Sequence, residues 1–356
     1  MTAPVRRTAL WVVPVSDLAG VARHVLDVAR VGLPGWSLVV LCPPGPLADR
    51  LVAQGAAVVA DPGFGVDAGA ASSVRALRAT IRALRPEVTH SHLAFADVVL
   101  AAAPGDTLRV STEHGIAGDR LLYQSGAARA RLKAAMHAAR IRRFDRLVAV
   151  SRATADAMRA AWHVTAPITV IPNGVDPVSY DRTPPERAAD GGPHVVSISR
   201  LAPEKRLPDL LEAFALVRRR EPTARLTLAG TGPLERELRT TADRLGLQAA
   251  VTMPRFVDAT ELLGRADVLV QLSAWENCSY SLLDAIAGGV GVVASPVGGN
   301  PELLPARCLA DPGDPVAVAD AILAQAPTGA ARPSLSATVP SVSGMAARIV
   351  EVYERP

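Results

Sequence analysis

Short apolar runs alternate with longer Ala-, Leu- and Arg-rich stretches along most of this chain, and that alternation limits the fold more than any other feature. "TALWVVPV" reads as a strand and "AGVARHVLDVARV" as a helix. "SLVVLCP" with "PLADRLVAQG", then "AAVVA" with "ASSVRALRATIRALRP", repeat the pair. "VTHSH", "LRVSTEHG" and "RLVAVS" continue the series. Buried runs separated by helices form parallel sheets covered on both faces. The series breaks over residues 170–193, where Pro, Gly and Asp crowd as in an interdomain linker. It restarts with "HVVSISRL", "PDLLEAFALVRRR", "ARLTLAG" and "PLERELRTTADRLG", and runs on through "AVTMPRFV", "ELLGRADVLVQL", "SYSLLDAIAGG" and "VGVVAS". The expectation is two doubly wound α/β domains in tandem. Open sheets of this kind bind ligands beyond the carboxyl ends of their strands. Two of them suggest a ligand in a cleft between them.

A chain of 356 residues, 49% hydrophobic and 20% charged, can bury two cores and is not disordered. The net charge of +4 permits an anionic ligand or membrane surface and requires neither. Aromatic residues are 4% of the chain and no basic stripe carries stacking residues, so a nucleic-acid partner is not expected. Cys42, Cys278 and Cys308 are odd in number and lie far apart, with no CxxC. That argues against a disulfide framework or a zinc site of that type, and for a cytoplasmic location. No apolar run has the length of a membrane span. The basic helical stretch 128–147 could dock peripherally on an anionic membrane, or serve as a solvated face.

Four stretches carry chemistry. In "SRLAPEKRL", Arg200 and Lys205 follow a strand and precede a helix near Pro208 and Asp209. A forked cation and a flexible one at such a place suit a phosphate or diphosphate, although a solvated charge run has the same composition. In "LAGTGPLERELR", Gly230 and Gly232 end a strand; a dinucleotide fingerprint lacks its third glycine, and tight packing would explain the pair equally. Gly20 occupies the corresponding first turn of the chain. In "SAWENCSYSLLDAIAGG", a helix is expected from about Ser279 to Gly288 and Gly289. Glu276 then lies on the preceding loop and Asp284 inside the helix. The amides of Cys278, Ser279, Tyr280 and Ser281 are placed to cradle a diphosphate. The two acids flank that position and can accept hydrogen bonds from sugar and ribose hydroxyls. Two ordinary helix acids are the other reading. Finally, "SPVGGNPELL" puts Gly298 and Gly299 after a strand, with Asn300 expected to cap a helix that has Pro301 at its first position.

Taken in order, these stretches resemble the retaining glycosyltransferases of family 4, whose GT-B fold has two Rossmann-like domains facing a central cleft. The resemblance covers nearly the whole chain, through "LAGVARHV", "VTHSHLAFADV", "STEHG", "RLVAVSRATADAM", "ITVIPNGVD" and the stretches above. It implies an acceptor domain over 1–178, joined by a C-terminal helix 343–356, and a nucleotide-sugar donor domain over 179–342. It implies transfer of a hexosyl or N-acetylhexosaminyl unit from a nucleoside diphosphate sugar, UDP favoured, to a small-molecule, saccharide or lipid-linked hydroxyl acceptor. Arg200 and Lys205 would hold the donor phosphates. Glu276 matches the first acid of the family's E-x7-E element and Asp284 the second, here shorter by one bond. Residues 278–281 match the segment that meets diphosphate and sugar. His114 matches a histidine lining the transfer site, while His90 and His92 are read as structural. Gly20 matches the glycine loop near donor and acceptor. "PRFV", with Phe256, matches the segment against which the base rests. No DxD-type motif is present, so neither metal nor cofactor is expected. A nucleotide-sugar binding protein without transferase activity, or an isomerase or phosphorylase on the same fold, remain alternatives.

Overall fold

The computed structural model describes residues 7–103, 105–116, 135–177, 191–327 and 332–355. Two compact units emerge from the described residues. One holds residues up to 116, 135–174 and 340–355; the other holds 175–339. The linker centre 178–190, residues 128–134 of the basic stretch and the start of the expected second domain at 179 lie outside the described residues.

The first unit is built on a seven-stranded parallel sheet in the order β3-β2-β1-β4-β5-β6-β7. The strands are β1 (Arg7–Val12), β2 (Trp36–Cys42), β3 (Ala57–Ala60), β4 (Val88–His92), β5 (Leu108–Glu113), β6 (Arg146–Ala149) and β7 (Ile168–Val170). β1 shows why the apolar runs become central strands. Ala9, Trp11 and Val13 enter one buried cluster, and Leu10 and Val12 enter another on the opposite side. Alternate side chains of a strand face opposite ways, so a continuous apolar run is stable only where both faces are covered. The last helix, Val342–Glu354, belongs to this unit. Its Met345, Ile349 and Tyr353 share a core with Trp11 and Val25. Trp11 Nε1 donates to Tyr353 Oη at 2.8 Å.

The second unit has a five-stranded parallel sheet, β10-β9-β8-β11-β12. Its strands are β8 (His194–Ile198), β9 (Arg225–Ala229), β10 (Val251–Thr252), β11 (Val268–Gln271) and β12 (Gly291–Ala294). "AVTMPRFV" contributes only two paired residues. Pro254 has no amide hydrogen to extend a ladder, and its carbonyl instead accepts from Gly230 N at 3.0 Å.

In both sheets the strand order reverses direction beside the first strand, at β1/β4 and at β8/β11. Ligand sites of open α/β sheets form at such switch points. Arg200 and Lys205 follow β8, and Glu276 follows β11, so the second sheet alone brings these residues to one edge.

Of the basic stretch, residues 135–141 are helical. Ile141 and Phe144 are buried in the core, and Arg140 is buried with them. Met136 is exposed. The described part of this stretch therefore spends its apolar residues inward rather than on a surface for insertion, Met136 apart. Among the described residues no helix is long and apolar enough to cross a membrane.

Candidate functional site

The β8 loop and the β11 loop are clamped together. A short 3₁₀ turn, Pro203–Lys205, follows Arg200. Ala274 N donates to the Glu204 carbonyl at 2.7 Å, tying one loop to the other. The Glu204 side chain is buried and forms an ion pair with Arg200, whose own side chain is mostly exposed. Arg200 is thus held by one end of its guanidinium, and the rest of the group faces solvent. Lys205 reaches across to Glu276 as an ion pair, with side chains 19% and 12% exposed. Ser273 Oγ donates to Glu276 Oε1 at 2.8 Å, and Lys205 Nζ lies 3.4 Å from Ser273 Oγ. Three expected site residues, Arg200, Lys205 and Glu276, therefore stand together. Glu204 and Ser273 were not anticipated.

The helix after Glu276 runs Tyr280–Ala287 with Ser279 as its N-cap. Ser279 Oγ accepts from Leu282 N at 3.4 Å and from Gln271 Nε2 at 2.9 Å. Gln271, the last residue of β11, so fixes the helix start against the strand end. Leu282, Leu283 and Ile286 are buried, which turns the opposite side of this helix outward. Asp284 is half-buried one turn in, while Cys278 and Ser279 are buried and Tyr280 and Ser281 half-buried at the start.

The glycines divide by physical cause. A Cβ on Gly230 would lie 2.0 Å from Ser199 O, and one on Gly232 would lie 2.2 Å from Leu201 O. Both glycines let the β9 loop touch the Arg200 loop, so packing accounts for them. Gly298 has φ 53°, and a Cβ there would lie 1.6 Å from Glu276 O. This glycine sets the height of the Glu276 loop. Gly298→Ala is expected to lower kcat/KM by about 100-fold through displacement of Glu276, measured on purified protein whose thermal unfolding is compared in parallel. Gly20 opens the helix Gly20–Val31, and a Cβ there would meet nothing within 4 Å. Packing does not call for glycine at that position.

One expectation changes. Asn300 is not a cap. The helix Asn300–Leu303 has only four residues and is preceded by Gly299, while buried Asn300 donates Nδ2 to Ser295 O at 3.0 Å. Its amide is used to hold the glycine turn instead. Phe256, in the stretch expected to meet the base, is 90% exposed, so its ring is an open surface of the second unit.

In the first unit, His114 follows β5 and has company that local sequence did not announce. His92 Nδ1 lies 2.9 Å from His114 Nε2. The His24 ring, on the helix after β1, lies 4.8 Å from that of His114. Burial holds all three imidazoles well below their usual pKa, His24 at about 4. Behind them, buried Arg140 joins Asp97 and Glu113, and Gly115 N donates to Glu113 Oε1 at 3.2 Å. The turn carrying His114 is therefore anchored on both sides.

Residues 18–179 match the family model described as Glycosyltransferase Family 4, and residues 192–326 match Glycosyl transferases group 1. Glycogen synthase of Mycobacterium tuberculosis is 31% identical over 327 residues, covering 82% of this chain and 78% of that protein. The GDP-mannose-dependent alpha-(1-6)-phosphatidylinositol monomannoside mannosyltransferase of Mycolicibacterium smegmatis is 32% identical over 175 residues, 44% of this chain and 46% of that protein. Among solved structures, Anabaena Alr3699/HepE in complex with UDP and glucose superposes with a TM-score of 0.78 at 22% identity, over 96% of this chain and 98% of that one. Sucrose-phosphate synthase of Thermosynechococcus elongatus gives 0.77 at 18% identity, over 98% of each. With the two models matched in chain order and a relative above 30% identity across most of its length, the chain belongs to the family 4 glycosyltransferases of GT-B fold.

Proposed function

We propose that this glycosyltransferase moves a hexosyl or N-acetylhexosaminyl unit from a nucleoside diphosphate sugar, UDP favoured, to a hydroxyl acceptor with retention of anomeric configuration and without a metal. The observation that carries this reading is the Lys205–Glu276–Ser273 cluster beside Arg200, at the switch point of the second sheet. An ammonium held by a carboxylate is a charge waiting for an anion. When a diphosphate approaches, Lys205 can turn to it, and Glu276 is released to accept from sugar hydroxyls. The outward face of the helix Tyr280–Ala287 offers Asp284 for the ribose. Relatives with UDP and glucose bound, or named for GDP-mannose, span the donor types to be tried.

In the reaction, the bond from the anomeric carbon to the diphosphate oxygen breaks as the bond to the acceptor oxygen forms on the same face. The acceptor proton passes to the departing phosphate oxygen. Arg200 and Lys205 stabilise the charge that develops there, which is worth most where water is excluded. The residues so assembled do not include a pair of carboxylates on two faces of a sugar, as a two-step glycosidase would use.

Thermal unfolding with a panel of nucleoside diphosphates tests the donor half. The preferred one, at about 100 times its Kd, is expected to raise Tm by roughly 5–10 °C. Asp284→Ala should weaken it about tenfold, the loss of one hydrogen-bonded pair, and Asp284→Glu should retain it. Donor consumption with acceptor and EDTA, and not with donor alone, supports metal-free transfer. Consumption of donor alone favours an isomerase, and binding without turnover across acceptors favours a silent binder.

A further inference from the structure

His24, His92 and His114 arrive from three separate elements: the helix after β1, the end of β4 and the residue after β5. One ring nitrogen from each lies within 4.8 Å of the others. The ring centres are 5.5, 4.8 and 5.1 Å apart. Three imidazoles on one face of a tetrahedral dication, with metal–nitrogen bonds of about 2.0–2.1 Å, place their ring centres roughly 5 Å apart. The observed triangle already has that size. We propose that His24, His92 and His114 bind one borderline transition-metal dication, of the zinc or cobalt class, and that its presence blocks transfer.

Hydrogen-bond accounting supports a ligand here. His24 Nδ1 lies 3.3 Å from Asn173 Oδ1, which can only accept. A proton on Nδ1 satisfies that contact, and Nε2 is buried with no hydrogen-bond partner. His92 Nε2 is also buried without a partner. His24, with one nitrogen oriented by an amide and the other bare, has the arrangement that metal-ligating histidines adopt, while His92 Nδ1 faces His114 Nε2 at 2.9 Å, a contact that a dication would replace. The neighbouring His90 is excluded as a fourth ligand, because both its nitrogens are engaged, with Tyr353 Oη and Thr112 Oγ1, each at 2.7 Å. It stacks on His92 at 4.6 Å, and Trp11 packs on His92 at 4.5 Å, so the ligand rings are held in place. Three nitrogens and no oxygen select against magnesium and calcium. His114 is half-buried while His24 and His92 are buried, so the ion would enter on the His114 side.

The block rests on the reading of His114 as a residue of the transfer site; the binding site itself does not. Cobalt is the probe. Titration of the metal-free full-length chain with Co²⁺ is expected to give one equivalent with the intense visible absorption of four-coordinate cobalt, discharged by Zn²⁺. His24→Gln and His114→Gln should each lose that equivalent while their far-UV circular dichroism matches the parent. His163→Asn, at an exposed helix end of the same unit, should keep it. No stoichiometric absorption, or absorption that survives both variants, overturns the site. In turnover assays Zn²⁺ should inhibit and EDTA restore. Cobalt binding without inhibition upholds the site and overturns the block. Cobalt binding by a chain that transfers nothing upholds the site and faults only the transferase reading.

Discussion

Glu276→Gln is expected to lower kcat/KM for donor turnover by about 10²–10³-fold, the cost of removing one preorganised electrostatic group from a transfer site. The side chain does two things in the structure. It holds Lys205 as an ion pair, and it accepts from Ser273 Oγ. An amide of the same shape preserves the fill and abolishes the charge, so folding should be spared. Lys205→Ala is expected to reach a similar deficit by another route, with weakened binding of the nucleoside diphosphate. The double variant should be about as impaired as the worse single one, since residues that act as a unit are not additive. Release of nucleoside diphosphate from donor, and thermal shifts with the diphosphate alone, separate the two. If diphosphate affinity is unchanged in Lys205→Ala, the lysine does not meet the phosphates. If the two losses add in full, the pair does not work as a unit.

Much of this site was legible because its parts are local. The alternation that announced β8 and β11 also placed Arg200, Lys205 and Glu276 at strand ends, and Ser279 caps where the polar-to-apolar change implied. What stayed hidden was non-local or depended on burial. Gly298 reads as a turn glycine, and only the folded chain shows it against the Glu276 carbonyl. Glu204 reads as one member of a surface charge run, yet it is buried beneath Arg200. Asn300 has the composition of a cap, but Ser295 O claims its amide first. The three histidines meet because β4 lies beside β1 and β5 beside β4. Strand order is set by how helices pack across the whole sheet, and no local period encodes it. Reading His92 as structural and His114 as functional therefore divided what the fold joins.

Arg140→Met is expected to cost about 3–5 kcal/mol, the penalty for breaking a buried ion pair from one side. For a unit of this size that is a fall in Tm of roughly 6–20 °C. Arg140, Asp97 and Glu113 have side chains 3%, 1% and 5% exposed. The guanidinium forks, with one nitrogen on Asp97 and the other 2.9 Å from Glu113 Oε2. Two acids share one cation. Burial drives the Asp97 carboxyl up to about 7 and raises Glu113, against the pull of Arg140 in each case. A folded pKa above the ordinary 3.8 of Asp97 means that the native state holds the proton more tightly than the unfolded chain. Its stabilisation is complete below that ordinary value and is lost as pH rises toward 7. Without Arg140 the carboxyls lose the cation that pairs them among the described residues and the native pKa climbs further, so the gap between parent and variant should widen from pH 5 to pH 8. Arg140→Lys should recover only part, because one ammonium cannot fork to both acids. Thermal unfolding of the three proteins at both pH values measures this. A loss below about 1 kcal/mol, or a gap that narrows with rising pH, would mean that the fork does not hold the turn carrying Glu113 and His114.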